Sequence, residues 1–301
     1  MNHYSELYEH CTLCPRMCGV NRHIRTGLCG YSSKMTAARA ALHFWEEPCI
    51  SGNRGSGAVF FSGCTLKCCF CQNYSISQEG AGKEITPSRL EEIILKLQDK
   101  GAQNIDLITA TQYLPTIIPV LEKIRGRLRI PVVYNCGGYE RVETLRLLDG
   151  LIDVYLPDLK YYSPEVSGRY SKASDYFAYA GRAVKEMIRQ TRKPVFSQEG
   201  ILTKGVLIRH MVLPGQKEDS LRLLHWMAEE LPKKRFLFSL MSQYTPFYKA
   251  SEYPEINRRI TSYEYQKVWE QALCLGLDQG YMQRRTSARE EYTPPFDLEG
   301  L

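Results

Sequence analysis

The sequence predicts an α/β protein, a partial (β/α)6 TIM-like barrel carrying a small N-terminal cysteine-rich extension. Three observations carry this. From residue 58 onward, short β-branched runs alternate with amphipathic helical patterns, the signature of βα units on a parallel sheet. The chain has 301 residues, 44% of them hydrophobic, which suits one large core and a single barrel of roughly 250 residues. Six βα units are too few to close an eight-stranded barrel, so an open one is expected, with its ligand site at the carboxyl ends of the strands.

The strands are expected near Ala58–Ser62, Ile105–Thr109, Val132–Asn135, Ile152–Leu156, Val206–Met211 and Phe236–Met241. Between them, apolar residues recur at helical spacing. The first helix, about Ser88–Lys100, opens with Thr86-Pro87-Ser88 and places Glu91 three residues after Ser88, a capping-box pattern with proline near the first turn. Its apolar positions Leu90, Ile93, Ile94 and Leu97 share one face. Similar faces occur at Ile117–Ile124, Val142–Leu148, Ala183–Gln190, Leu221–Leu231 and Tyr263–Leu275. The last ten residues, with Pro294-Pro295, read as a surface tail.

Residues 1–52 differ from this pattern. They hold five of the eleven cysteines and little periodicity, and are expected to be a metal-binding segment appended to a barrel spanning 53–301. No apolar stretch approaches the ~20 residues a membrane helix needs, and the N-terminus lacks the basic and apolar regions of a secretory signal. A cytoplasmic protein without a membrane partner is expected. The net charge of +6 arises from 39 basic and 33 acidic residues spread along the chain, with no basic run longer than Lys233-Lys234-Arg235, so nucleic acid is not an expected partner. In such a chain close-set cysteines point to metal rather than to disulfides.

The strand Ala58-Val59-Phe60-Phe61-Ser62 runs into Gly63-Cys64-Thr65-Leu66-Lys67-Cys68-Cys69-Phe70-Cys71-Gln72-Asn73. Three cysteines at C-x3-C-x2-C in one loop at a strand's carboxyl end can wrap three corners of a [4Fe-4S] cubane. The fourth iron would lack a protein ligand, whereas a cluster used only for electron transfer usually has all its irons closed by cysteine. An exogenous ligand is therefore expected on it.

With Gly63 before it and Gln72-Asn73 after it, this loop resembles that of the radical S-adenosylmethionine (SAM) superfamily, and more narrowly its branch similar to pyruvate formate-lyase activating enzyme. The resemblance extends over most of residues 50–285, through Tyr134-Asn135-Cys136-Gly137-Gly138-Tyr139-Glu140, Asp158-Leu159-Lys160, Arg209-His210-Met211-Val212-Leu213-Pro214-Gly215 and Ser239-Leu240-Met241-Ser242-Gln243-Tyr244-Thr245-Pro246. It implies that SAM chelates the open iron, that the reduced cluster cleaves it to methionine and a 5′-deoxyadenosyl radical, and that the radical abstracts hydrogen from a substrate. In an activating enzyme that substrate is a glycine of a partner protein. A different peptide or a small molecule is the alternative, and a reductant such as flavodoxin or ferredoxin is the expected electron donor.

The resemblance also implies roles by position. Phe70 matches the aromatic residue beside the SAM adenine. Thr109, Ala110 and Thr111 end the second strand where relatives place small residues beside the SAM amino group, although the familiar Gly-Gly-Glu is absent. Asn135, Asp158 and Lys160 end strands three and four, where they would meet the SAM carboxylate, its ribose or a cation; activating enzymes carry an acid where Asn135 stands. Arg209 and His210 alternate on strand five, so only one faces the interior. Gln243 and Tyr244 are candidates for substrate contact. Cys69 is expected to be a spectator, Cys49 and Cys274 to be core, and Cys136 to pack rather than to touch substrate.

Cys11, Cys14, Cys18 and Cys29 lie at C-x2-C-x3-C-x10-C, a spacing that fits tetrahedral zinc, a second iron–sulfur centre, or thiols without metal. The rival function from another class is a non-catalytic iron–sulfur protein for electron transfer or sensing.

Overall fold

The computed structural model describes residues 3–283 and 293–301. Its elements are β1 (Thr36–His43), α1 (Pro48–Ser51), β2 (Ser56–Phe61), α2 (Tyr74–Ser77), β3 (Lys83–Glu84), α3 (Pro87–Asp99), β4 (Ile105–Ile108), α4 (Leu114–Ile124), β5 (Val132–Cys136), α5 (Val142–Arg146), β6 (Val154–Pro157), α6 (Pro164–Ser171), α7 (Tyr176–Thr191), β7 (Val195–Phe196), β8 (Leu202–Met211), α8 (Lys217–Glu230), β9 (Leu237–Met241), α9 (Ser262–Cys274) and β10 (Gly280–Met282).

The six expected strands are β2, β4, β5, β6, β8 and β9. They lie parallel in that order, and β10 continues the parallel set beyond β9. Beyond β2 the sheet turns antiparallel: β1 pairs with β2, and β3 with β1. Among the described residues β3 and β10 are its two ends and the sheet does not close, so the partial TIM-like barrel stands. No helix among the described residues is long and apolar enough to cross a membrane.

Strand β1 lies within the 1–52 segment yet belongs to the main sheet. Its sequence, Thr-Ala-Ala-Arg-Ala-Ala-Leu-His, is rich in alanine, which has weak strand preference, so composition concealed it. After β1 the chain turns into the barrel. Cys49 and Ile50 of α1 pack with Val133, Val154, Leu156, Leu207 and Leu237 in a buried apolar layer, and Asn104 donates to the Ile50 carbonyl at 2.8 Å. The larger core fills the space between the sheet and its helices.

Three local expectations are corrected. The cap of α3 is Thr86, whose hydroxyl accepts from the Arg89 backbone at 3.1 Å with Pro87 in the first turn; Glu91 instead bonds Lys123 and Arg127 at the end of α4. The last residues lie at the surface as expected, but they are tied to β1 rather than trailing from it. Leu298 donates to the Ala38 carbonyl and Ala40 to that of Glu299, while Phe296 packs edge-on against Phe60 with ring centres 5.5 Å apart. Cys274 is exposed at the end of α9, not in the core, whereas Cys49 is buried.

Candidate active site

A cleft of about 250 Å³ opens at the carboxyl ends of the parallel strands. Cys64, Cys68 and Cys71 all reach its wall, as do Phe70, Thr109, Asn135, Asp158, Lys160 and Arg209. Of the residues expected there, Ala110, Thr111 and Tyr244 do not; the Thr111 hydroxyl turns to Tyr134 at 3.0 Å and Glu140 at 2.7 Å.

The cysteine loop is held from several sides. Gly63, entering it, has φ +89°, and a Cβ there would lie 2.5 Å from a ring carbon of Tyr31, so only glycine fits. The buried Gln112 amide donates to the carbonyls of Ser62, Gly63 and Thr109 at 2.8 to 3.1 Å, tying the ends of β2 and β4 together. Thr109 takes a left-handed backbone, φ +58°, a conformation that is uncommon outside glycine and tends to cluster at functional sites. Each sulfur of the triad has a polar partner: the Leu66 N–H donates to Cys64 at 3.4 Å, the Ser171 hydroxyl donates to Cys68 at 2.9 Å, and the Ser77 hydroxyl pairs with Cys71 at 3.3 Å. Hydrogen bonds to sulfur tune an iron–sulfur centre.

Burial, reinforced by neighbouring cysteines, pushes Cys64 up to about 12 and Cys71 to about 11. These thiols hold their protons until a metal displaces them. Among the described residues no three His, Cys, Asp or Glu side chains stand at the spacing of a single bound ion. Three thiol sulfurs facing one cleft are the soft donors that an iron–sulfur cluster takes.

The cleft floor is a connected polar layer. Arg209 donates to Glu46 at 2.8 Å, Asp158 at 2.9 Å and Asn135 at 2.7 Å; Lys160 reaches the other oxygen of Asp158 at 2.6 Å. The Asn135 amide nitrogen bridges Glu46 and Asp106, each at 3.2 Å. Burial opposes ionisation of Asp158, but Arg209 and Lys160 outweigh it and hold the carboxyl below its ordinary value. Burial, then the charge of Glu46, pushes Asp106 well up, and burial raises Glu46 against the pull of Arg209. Gly138, φ +77°, lets the chain pass the Asp158 carbonyl, which would lie 2.1 Å from an added Cβ.

His210 points away from the cleft, bonded to the Leu159 carbonyl at 2.7 Å and the Ser220 hydroxyl at 2.9 Å, so Arg209 is the inward residue of the pair. Phe70 stands edge-on to Tyr244 at 5.7 Å, and the Tyr244 hydroxyl is spent on the Ile256 carbonyl, leaving Gln243 on the wall. Cys69 is buried with its backbone N–H on Tyr170. Cys136 is buried and lines the cleft.

Sequence reasoning missed Glu46, Asp106, Gln112 and Ser171. A charge in the apolar strand Ile-Asp-Leu-Ile was a usable signal for Asp106. Glu46 gave none, since it arrives from the segment before the barrel.

Residues 58–227 match the model of the radical SAM superfamily. The chain belongs to the radical SAM superfamily. It is 32% identical over 282 residues to an uncharacterized protein of Methanocaldococcus jannaschii, covering 90% of this chain and 77% of that one. Among solved structures, SuiB of Streptococcus suis bound to the precursor peptide SuiA aligns with a TM-score of 0.50 at 14% identity, over 73% of this chain and 46% of that one. Methylornithine synthase aligns with a TM-score of 0.50 at 11% identity, over 81% and 72%. The chain thus spans about half the length of SuiB. At these identities the likeness is one of fold.

Proposed function

We propose that this radical SAM protein binds one [4Fe-4S] cluster through Cys64, Cys68 and Cys71 and SAM against its fourth iron. The observation that carries the reading is the convergence of three sulfurs, each with a polar partner, on one cleft at the strand ends. When bound, cluster and SAM supply reductive cleavage to methionine and a 5′-deoxyadenosyl radical that abstracts hydrogen.

The chain's own residues bind, orient and exclude water. Phe70, buried beside Tyr244, offers an apolar edge for the adenine. Thr109 and Asn135, adjacent across β4 and β5, offer polar groups for the methionine end of SAM. Lys160, held by Asp158, places a cation beside Cys68 and within reach of a carboxylate. Arg209 fixes Asp158 and Asn135 in position.

The hydrogen donor in this reading is a glycine of a partner protein, by similarity to activating enzymes; a different peptide or a small molecule is the competing donor. A flavodoxin or ferredoxin supplies the electron. Cys11, Cys14, Cys18 and Cys29 are the candidate ligands of a second centre, zinc or iron–sulfur. The test is anaerobic reconstitution with iron and sulfide, reduction with dithionite, addition of SAM and chromatographic detection of 5′-deoxyadenosine. Production by the wild type and not by a Cys64/Cys68/Cys71 triple alanine variant supports the reading. An intact cluster that leaves SAM uncleaved would favour electron transfer or sensing.

A further inference from the structure

The N-terminal cysteines pose an electrostatic problem that the fold does not solve with carboxylates. Cys11, Cys14, Cys18 and Cys29 line one internal space together with Arg22. Arg22 is 1% exposed, and among the described residues no carboxylate forms an ion pair with it. Its guanidinium donates to the carbonyls of Tyr31, Ser32 and Gln112 and lies 5.1 Å from the Tyr8 ring centre. Burying a guanidinium without a counter-charge is costly. Four neutral thiols provide none. Four thiolates around Zn²⁺, or around an oxidised [4Fe-4S] core, carry a net charge of about −2 and provide it.

The chain turns present the sulfurs together. The Cys11 amide bonds the Val20 carbonyl and the Cys11 carbonyl accepts from Gly19, folding the first three cysteines back on themselves. The sulfurs of Cys18 and Cys29 each lie 3.4 Å from where a Cβ on Gly27 would stand, so glycine keeps that space open. The segment's own apolar cluster contains only Tyr8, Cys11 and Leu13 as buried members, too few to hold it by burial alone.

This quartet is built against the back of the catalytic loop. Thr65, between Cys64 and Cys68, lines the same space, and the Cys29 carbonyl lies 3.1 Å from where a Cβ on Gly63 would stand. Arg16, inside the quartet, donates to Thr65 O at 2.9 Å, Ser171 O at 3.3 Å and Lys172 O; the Ser171 hydroxyl in turn meets the Cys68 sulfur.

We propose that Cys11, Cys14, Cys18 and Cys29 bind a tetrathiolate metal centre that neutralises Arg22 and, through Arg16, braces the Cys64–Cys71 loop. The bracing rests on the proposed cluster; the metal site does not. Among the described residues these sulfurs do not stand at the spacing of a single bound ion, so binding requires them to shift. Zinc and a [4Fe-4S] core both meet the charge requirement.

The test uses the full chain with Cys64, Cys68 and Cys71 replaced by alanine, purified without oxygen and assayed for zinc, iron and acid-labile sulfide. About one zinc, or about four irons with four sulfides, per chain is expected, lost when Cys14→Ala and Cys29→Ala are added. A variant with wild-type circular dichroism and no stoichiometric metal overturns the site, as does metal that survives the added changes. For the brace, Arg16→Ala in the otherwise native chain should keep the quartet metal while the triad cluster is lost to chelator roughly tenfold faster. An unchanged loss rate overturns the brace. Failure of SAM cleavage with the quartet metal in place would sink the catalytic reading and leave this one standing.

Discussion

Arg209→Met keeps the bulk of the side chain and removes the charge. In the native chain the guanidinium satisfies Glu46, Asp158 and Asn135 in one layer, with side-chain exposures of 15% for Arg209 and 10% for Glu46. Removing one partner of a buried pair costs about 3–5 kcal/mol, because the other charge stays in low dielectric. Lys160 remains for Asp158, so most of that cost falls on Glu46. Without Arg209, burial drives the Glu46 carboxyl further up, while Asp158, held below its ordinary value in the native chain, loses one of the two cations that hold it there. Between the unfolded carboxyl range, about 4, and the raised folded value of Glu46, the folded variant binds more protons than the unfolded chain, so its stability falls as pH rises through that window. Urea unfolding of the metal-free protein should therefore show a loss of about 3–5 kcal/mol at pH 8 and a smaller one at pH 5. Glu46→Gln placed in the same background should restore part of it, with a coupling of about 2 kcal/mol in the double-mutant cycle. A loss under about 1 kcal/mol at pH 8, or one that is equal at both pH values, would refute the buried network as drawn.

Three further outcomes follow from the loop. Cys68→Ala should abolish 5′-deoxyadenosine formation and Cys69→Ala should retain it; full activity in the first would sink the ligand assignment. Gly63→Ala must push against Tyr31 at a left-handed backbone position, so it should cost about 1–3 kcal/mol in denaturant midpoint analysis and lower the iron bound per chain. Wild-type values for both would show that the close approach relaxes without cost. Ser171→Ala removes a hydrogen bond that favours the more negative, reduced cluster, and should shift its potential downward by roughly 20–60 mV, the equivalent of one hydrogen bond of about 0.5–1.5 kcal/mol. A redox titration followed by electron paramagnetic resonance measures the shift, and an upward one contradicts the assigned contact.

What was legible in the sequence had a period or a spacing. The six parallel strands are short β-branched runs between helices with apolar faces, and the triad is written in one loop. What was hidden depends on contacts remote in sequence. Glu46 and Arg209 are separated by 163 positions and Ser171 and Cys68 by 103, so no local pattern reports either. Alanine-rich β1 mimics a helix or a loop in composition, and the last residues look like a tail until Leu298 donates to the Ala38 carbonyl of β1 and Ala40 to that of Glu299. The α3 cap was misplaced because threonine, proline and serine stand together, and any of them suits a helix start.

The open barrel explains why segments outside the βα repeat come to the site. Six βα units leave β2 and β9 as outer strands, whose bare edges would expose apolar interior and unpaired backbone groups. Segments outside the repeating pattern cover them: β1 pairs with β2, β10 pairs with β9, α1 packs Cys49 and Ile50 into an apolar layer with the parallel strands, and the last residues lie along β1 with Phe296 on Phe60. The same inward turn after β1 that delivers α1 also carries Glu46 under the cleft, where it meets Arg209. Two carboxyls, Asp158 and Glu46, then stand against two cations, Arg209 and Lys160, while burial and the charge of Glu46 push the Asp106 carboxyl up. Acids and bases thus answer one another within the floor, and the three sulfurs take their polar partners from elsewhere, from Leu66, Ser171 and Ser77. Those contacts are the chain's direct means of tuning whatever the sulfurs hold, because hydrogen bonds to sulfur set the properties of an iron–sulfur centre.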